Sequence, residues 1–410
     1  MTIDEPCRFC AEPLSREFVD LGATPLSNAY LRADQLGHME PFYPLRPFIC
    51  DKCLLVQLPA FQSPNQIFGD YAYFSSFSES WLDHAERYAR MAVDRFGLSK
   101  NSLVVEIASN DGYLLRFFKQ QGISVLGVEP AANVAKAAEA AGIPTLVRFF
   151  GTETAEHLIR QGQQADLLVG NNVLAHVPDL NDFVAGLARA LKPTGAITME
   201  FPHLARLIEQ NQFDTIYHEH FSYFSFHTVQ LVFTHHGLTI YDVEELPTHG
   251  GSLRIYATHI NSGKPISQRV ADLNKREHKG GYHRIDTYGA FQAQVRRIKR
   301  ELLKFLIQAR EEDRVVVGYG APAKGNTLLN YCGVRTDLLD YTVDISPHKQ
   351  GMLLPGTRIP IHAPDKIRET RPDYVLILPW NLREEIIGQL DWIREWGGRF
   401  VVPIPQLAIL

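Results

Sequence analysis

Between Ser102 and Glu200 the chain alternates short apolar runs with stretches that are apolar only at helical spacing. Leu103-Val104-Val105-Glu106-Ile107-Ala108 has the continuous apolar pattern of a buried strand. Asn110-Asp111-Gly112 supplies turn chemistry, Tyr113 to Gln121 is apolar at helical spacing, and Gly122 ends that helix. Val125 to Val128 reads as a second strand, finishing in Glu129-Pro130. An alanine-rich helix from Ala131 to Ala141 and a strand near Thr145 follow. Ala165 to Gly170 is a further strand closed by Asn171-Asn172. A helix from Leu180 to Leu191 then breaks at Lys192-Pro193-Thr194-Gly195, ahead of a strand from Ala196 to Glu200. This alternation predicts a doubly wound, mostly parallel α/β sheet, whose ligands sit at the carboxyl ends of its strands.

The C-terminal third repeats the theme. Lys264 to His283 is polar and reads as a connecting segment. Phe291, Val295, Ile298, Leu302, Phe305 and Ala309 fall on one face of a long amphipathic helix. Arg314 to Thr327 reads as a strand, a glycine loop and a helix start, and Asp340 to Asp344 and Asp373 to Leu378 add strands. This is a second Rossmann-like unit. Its Lys324-Gly325 order reverses the Gly-Lys of a Walker loop, which excludes an NTPase reading. The loop amides, a helix N-terminus and Lys324 suit a phosphate.

Composition narrows the classes. The 410 residues are 45% apolar and 21% charged, ordinary for a globular chain of two or three domains. A net charge of −5 gives no global reason to expect nucleic acid. No apolar run approaches the ~20 residues that span a bilayer. Met1 to Pro6 has neither a basic nor an apolar leader region, so the expected compartment is the cytoplasm.

Cys7/Cys10 and Cys50/Cys53 form two CxxC pairs in ribbon-like settings. Four thiolates so arranged suit a structural zinc with no open coordination position, and a reducing cytosol argues against disulfides. The long separation between the pairs requires an inserted hairpin. Cys332 stands apart and reads as a small buried apolar residue.

Glu106-Ile107-Ala108-Ser109-Asn110-Asp111-Gly112 resembles the first motif of the class I S-adenosylmethionine-dependent methyltransferases, an acidic residue followed by alternating glycines. Only Gly112 is kept. Ala108 and Asn110 hold the other glycine positions, and asparagine tolerates the left-handed backbone of such a turn. Glu129, at the end of the second strand, is placed to accept hydrogen bonds from both ribose hydroxyls, with Pro130 beside it. Asn171 and Asn172 end the strand where that family contacts adenine or the methionine moiety. The competing reading of Glu129 is a solvated strand end.

Downstream lies Tyr217-His218-Glu219-His220-Phe221-Ser222-Tyr223. It offers a base near neutral pH, a carboxylate to fix the base's tautomer, and a tyrosine to donate to an oxyanion, the parts needed for proton abstraction beside a carbonyl. The bland alternative is an aromatic core with satisfied histidines. Metal binding by the adjacent His218, Glu219 and His220 is disfavoured, because neighbours in sequence do not readily converge on one ion.

Together, the paired CxxC motifs, the glycine-poor donor motif and Tyr-His-Glu-His-Phe-Ser-Tyr resemble the nucleotide-sugar C-methyltransferases over essentially the whole chain. The resemblance implies an N-terminal zinc-binding domain (1–75), a central class I methyltransferase domain (76–260) and a C-terminal Rossmann-like domain that holds the nucleotide sugar (261–410). It implies S-adenosylmethionine and structural Zn²⁺ as cofactors. The implied activity is methyl transfer to a carbon, C-3, of a dTDP-linked 4-keto-6-deoxysugar. His220 would be the general base, with Glu219 and Tyr217 beside it. Tyr71 or Tyr73, in Tyr71-Ala72-Tyr73-Phe74, would close over the sugar. The Thr248-His249-Gly250-Gly251-Ser252-Leu253-Arg254 run would lie near it, with His249 able to assist. Two other readings stay open: an O- or N-methyltransferase on a small metabolite, and a non-catalytic zinc- and nucleotide-binding scaffold.

Overall fold

The computed structural model describes residues 5–62, 75–77 and 79–410. Tyr71 and Tyr73 lie outside the described residues. The central unit is a seven-stranded sheet. From edge to edge it runs Leu238–Leu246, Ser252–His259, Leu191–Pro202, Ala165–Asn171, Leu103–Ile107, Ser124–Val128 and Thr145–Leu146. The last five strands are parallel; the first two form an antiparallel hairpin that pairs with Leu191–Pro202. Val104, Val105, Leu167, Leu168 and Ile197 are fully buried, as strands covered on both faces require.

The second unit is a six-stranded sheet in the order Ile361–His362, Thr342–Val343, Val316–Tyr319, Tyr374–Ile377, Arg399–Val402 and Ala408–Ile409, antiparallel only at the last pair. The amphipathic helix covers Phe291–Glu311. Leu306 rather than Phe305 completes its buried stripe, and Phe305 turns its ring edge to Tyr374 at 5.1 Å.

Two sequence expectations change here. The polar 264–283 stretch contains a helix, Gln268–Gly280, because Val270, Leu273 and Glu277 share one buried face while the rest of it is solvated. The strand expected at Ala196 begins at Leu191, which pairs with Ala165 before an irregularity admits Lys192 to Gly195.

The small N-terminal sheet joins the units. It has the order Arg16–Glu17, Phe48–Ile49, Val56–Gln57 and Ser222–Tyr223. Its fourth strand therefore comes from the histidine-rich segment of the central unit, with Ser222 opposite Gln57 and Tyr223 opposite Val56. The sheet packs both ways: Phe18 stacks on Phe291 at 4.8 Å, while Cys50, Cys53 and Leu55 share a core with Phe226 and Leu253. Among the described residues, no helix is long and apolar enough to cross a membrane.

Candidate active site

The four paired cysteines converge. Their Sγ atoms lie within 4.8 Å of one another, with Cys7–Cys53 and Cys10–Cys50 each at 3.5 Å. Zinc–sulfur bonds of about 2.3 Å put tetrahedral sulfurs about 3.8 Å apart, so the donor set fits Zn²⁺. The residues that follow the two pairs, Ala11 and Leu54, both take φ +59, and their amides return to the Cys7 and Cys50 carbonyls. The two knuckles are thus built alike. Four sulfurs close the coordination shell, so the ion is structural.

At the donor end of the central sheet, Ala108, Asn110 and Gly112 all adopt positive φ (+55, +50 and +75). The turn therefore has the left-handed backbone of the glycine-rich motif, although two of its three residues carry a Cβ. Gly112 allows no such exchange, since a Cβ there would meet Ile143 Cγ1 at 2.8 Å. Glu129 is buried, not a solvated strand end. Its two oxygens accept the Asn110 and Ala131 amides, each at 2.9 Å, which fixes the carboxylate against the turn beside Pro130. Burial raises its pKa and those hydrogen bonds oppose the rise. Glu106 lies deeper, in the core beneath the loop, and desolvation lifts it well above the usual carboxylate range. Asn171 Nδ2 reaches the Tyr113 hydroxyl at 3.4 Å.

Asn172 leads directly to a cluster of histidines. It contacts His249 of the Gly250-Gly251 hairpin, and a single turn, Leu174–His176, follows it. The His176 ring packs edge-on against His220 with centroids 4.7 Å apart. The Tyr217 ring lies tilted against His220 with centroids 4.0 Å apart. Nδ1 of His220 is 3.0 Å from the Thr215 carbonyl. A carbonyl only accepts, so that nitrogen carries the proton and the neutral ring presents a lone pair at Nε2. Burial, then the neighbouring His176, hold His220 well below its ordinary pKa. The ring is therefore an unprotonated base at neutral pH.

Glu219 does not set this tautomer, contrary to the sequence expectation. Its carboxylate instead accepts from Asn28 Nδ2 of the N-terminal domain at 2.6 Å, and burial pushes it up to about 7. His218 goes a third way, to the Pro44 carbonyl at 3.2 Å. Three successive side chains thus diverge, which explains why they form no metal cluster among the described residues.

Lys324 sits in the first turn of the Ala323–Cys332 helix. It donates to Asn381 Oδ1 at 2.7 Å and rests 4.6 Å over the Trp380 ring. Thr327 of the same helix donates to the Ile216 carbonyl, joining the second unit to the histidine segment. The Lys324 charge helps lower both His249, which burial and Lys324 bring to about 4, and His220. Beneath the hairpin, Glu200 binds His84 (3.0 Å), Arg254 (2.6 Å) and Thr248 (2.8 Å). Burial would raise Glu200; His84 and then Arg254 overcome it and hold it at about 2.

The structure therefore groups His176, Tyr217, His249 and Lys324 around His220 and ties His249 to Asn172 at the end of the Ala165–Asn171 strand, while Glu219 turns away to Asn28. Sequence reasoning missed His176, Asn28 and Glu200. A lone histidine after a strand, an asparagine in a loop and a glutamate in an apolar strand carry no local signal of their roles.

Comparison with known proteins accounts for all three parts. Residues 7–68 match a zinc binding domain family, 81–243 a methyltransferase domain family and 247–405 a C-methyltransferase C-terminal domain family. C-methyltransferase NovU of Streptomyces niveus is 36% identical over 408 residues, covering 100% of this chain and 97% of NovU. A ubiquinone biosynthesis O-methyltransferase of Rhodopseudomonas palustris (strain BisA53) is 29% identical over 152 residues, 32% of this chain and 60% of its own length. Among solved structures, the PH0226 protein from Pyrococcus horikoshii OT3 aligns with 48% of this chain and 99% of its own, at 15% identity and a TM-score of 0.37. The likeness to NovU runs from end to end of both chains, and it makes this protein a member of the S-adenosylmethionine-dependent C-methyltransferase family.

Proposed function

We propose that the enzyme methylates C-3 of a nucleotide-linked 4-keto-6-deoxysugar, with dTDP as the nucleotide. The observation that carries this reading is the neutral His220 ring, which packs on His176 one turn beyond the donor-strand residues Asn171 and Asn172. A base so placed suits an acidic carbon beside a ketone; an alcohol or amine acceptor needs no enolising base. When bound, S-adenosylmethionine supplies an electrophilic methyl group, and the Gly112 turn with Glu129, Pro130, Asn171 and Asn172 would hold it. His220 Nε2 takes the C-3 proton. Tyr217 donates to the enolate oxygen at C-4. Glu219, partly neutral near pH 7, offers a hydrogen bond to a sugar hydroxyl, and Asn28 fixes its direction.

The second unit supports a nucleotide sugar by repeating the donor architecture. Asp344 Oδ2 accepts the Ala321 amide at 2.7 Å, as Glu129 accepts that of Asn110. Lys324 and the N-terminus of its helix meet the diphosphate.

The test is incubation with S-adenosylmethionine and a panel of dTDP-, GDP- and CDP-4-keto-6-deoxysugars, read by mass and carbon-13 spectra. A methyl on C-3 is expected. Loss of the base typically costs ~10²–10⁴-fold. His220→Asn should therefore lose both turnover and solvent deuterium exchange at C-3 while binding donor normally. A methyl on oxygen or nitrogen, or normal exchange by the variant, overturns the reading.

A further inference from the structure

Asp214 lies two residues beyond Gln212 and immediately before Thr215, whose carbonyl fixes His220. It is fully buried, and no step proposed above uses it. Its Oδ2 accepts from the indole Nε1 of Trp380 at 2.7 Å, and its Oδ1 has no hydrogen-bond partner among the described residues. A buried carboxylate is costly unless a nearby charge or hydrogen bond compensates it. The Trp380 ring it grips is the surface on which the Lys324 ammonium rests, 4.6 Å from the centroid.

The same short turn also secures the hairpin. Gln212 Nε2 donates to the Gly250 carbonyl at 2.7 Å. Gly250 in turn lies so close to Trp380 that a Cβ would come within 2.5 Å of its ring, and its φ of +92 suits glycine. Residues 212 to 215 therefore touch the base, the His249 hairpin and the indole under Lys324 within one stretch of chain.

We infer that Asp214 is a positioning residue: by gripping the indole N–H of Trp380, on whose ring Lys324 rests, and by its charge when ionised, it sets the place and charge of the cation that meets the substrate's diphosphate. The electrostatics agree. Burial lowers the Lys324 pKa and Asp214 works against that, while burial raises Asp214 to about 7 and Lys324 works against that. The inference rests on the diphosphate role proposed for Lys324.

Asp214→Asn keeps the side chain's shape and an oxygen for Trp380 while removing the charge. Its affinity for dTDP should fall about tenfold, the scale of a charged hydrogen bond. Affinity for thymidine and for S-adenosylmethionine should stay unchanged. With the sugar that the panel identifies, KM should rise while kcat moves less. Lys324→Met should show the same dTDP loss, and Asp214→Asn added to it should change dTDP affinity by no more than about twofold. Trp380→Phe, which keeps the ring and loses the N–H, should follow Asp214→Asn and serves if that variant does not fold. If Lys324→Met leaves dTDP affinity intact, the diphosphate role of Lys324 falls and the inference with it. If Lys324→Met weakens dTDP but the Asp214 or Trp380 effect multiplies with it, the inference alone is overturned.

Discussion

Asn172 Nδ2 lies 2.8 Å from His249 Nε2, and both residues take φ +54. The contact ties the donor strand's end to the His249 hairpin. An amide N–H donates, so His249 accepts at Nε2 and is neutral. Protonation would set donor against donor.

Asn172→Asp reverses that contact. An aspartate accepts from the imidazolium and favours it by charge. The His249 pKa, now about 4, should rise toward or above its ordinary value of 6.5. Histidine proton resonances followed against pH, with His249→Gln to identify the signal, measure it. An unmoved titration would show that the contact does not govern the ring.

Glu219 titrates in the working range. Burial brings it to about 7, so it is a hydrogen-bond donor below that pH and loses the donor above it. The kcat/KM profile should carry an inflection near pH 7 that Glu219→Gln reduces, leaving the part that belongs to Asp214. Asp214→Asn is the control, because burial also brings Asp214 to about 7. An inflection that survives the first change undiminished and vanishes in the second belongs to Asp214 alone.

The neutral histidines set the acid response of folding. In the folded state His176 is near 4, lowered by burial, and His220 is also well below 6.5. The unfolded chain takes up these protons first as pH falls, so their contribution is complete above 6.5 and is lost from there toward 4. His176→Gln removes one such group and should flatten the acid side of the stability curve, measured as urea midpoint against pH. Identical acid slopes for variant and parent would remove His176 from the account.

Position 112 has no room for a side chain. Gly112→Ala meets Ile143 at 2.8 Å and takes a left-handed cost of about 1–2 kcal/mol at φ +75. Donor affinity and thermal midpoint should both fall. Ile143→Val should lessen the clash but not the backbone cost, so recovery should be partial. Calorimetric titration with S-adenosylmethionine decides the first point and a melting curve the second.

Much of the donor site is readable because it is local. The Leu103–Ile107 strand, the Asn110 turn and Glu129 follow one another, and the left-handed φ at Asn110 is what asparagine allows. Ala108 at φ +55 is less expected, and only the surrounding fold enforces it. The histidine cluster is not local. Asn28 reaches Glu219, and His176 reaches His220, across separations that no short window of sequence connects. Glu219 shows the limit plainly: its place beside His220 in the chain suggests a pair, yet the backbone sends the two side chains to Asn28 and Thr215. The Gln268–Gly280 helix was hidden because its few apolar residues are outnumbered by charged ones.

Zinc loss should reach the chemistry through the small N-terminal sheet. Cys53 belongs to the turn that leads into Val56–Gln57, and that strand pairs with Ser222–Tyr223 just after His220. Cys53→Ser should abolish stoichiometric zinc and lower turnover by about 10²-fold, the scale of a 1 Å misplacement at a reacting centre. Elemental analysis with single-turnover rates checks both. Full activity in a zinc-free protein would break the link.

That pairing also has a consequence for synthesis. A nascent chain emerges from its N-terminus, so Val56–Gln57 leaves the ribosome long before the strand that covers its open edge. Until Ser222 and Tyr223 arrive, the metal-binding module is a three-stranded fragment with a bare rim. Its maturation is therefore deferred to the end of the central unit's translation, and a premature stop before that point would release a fragment with an adhesive border.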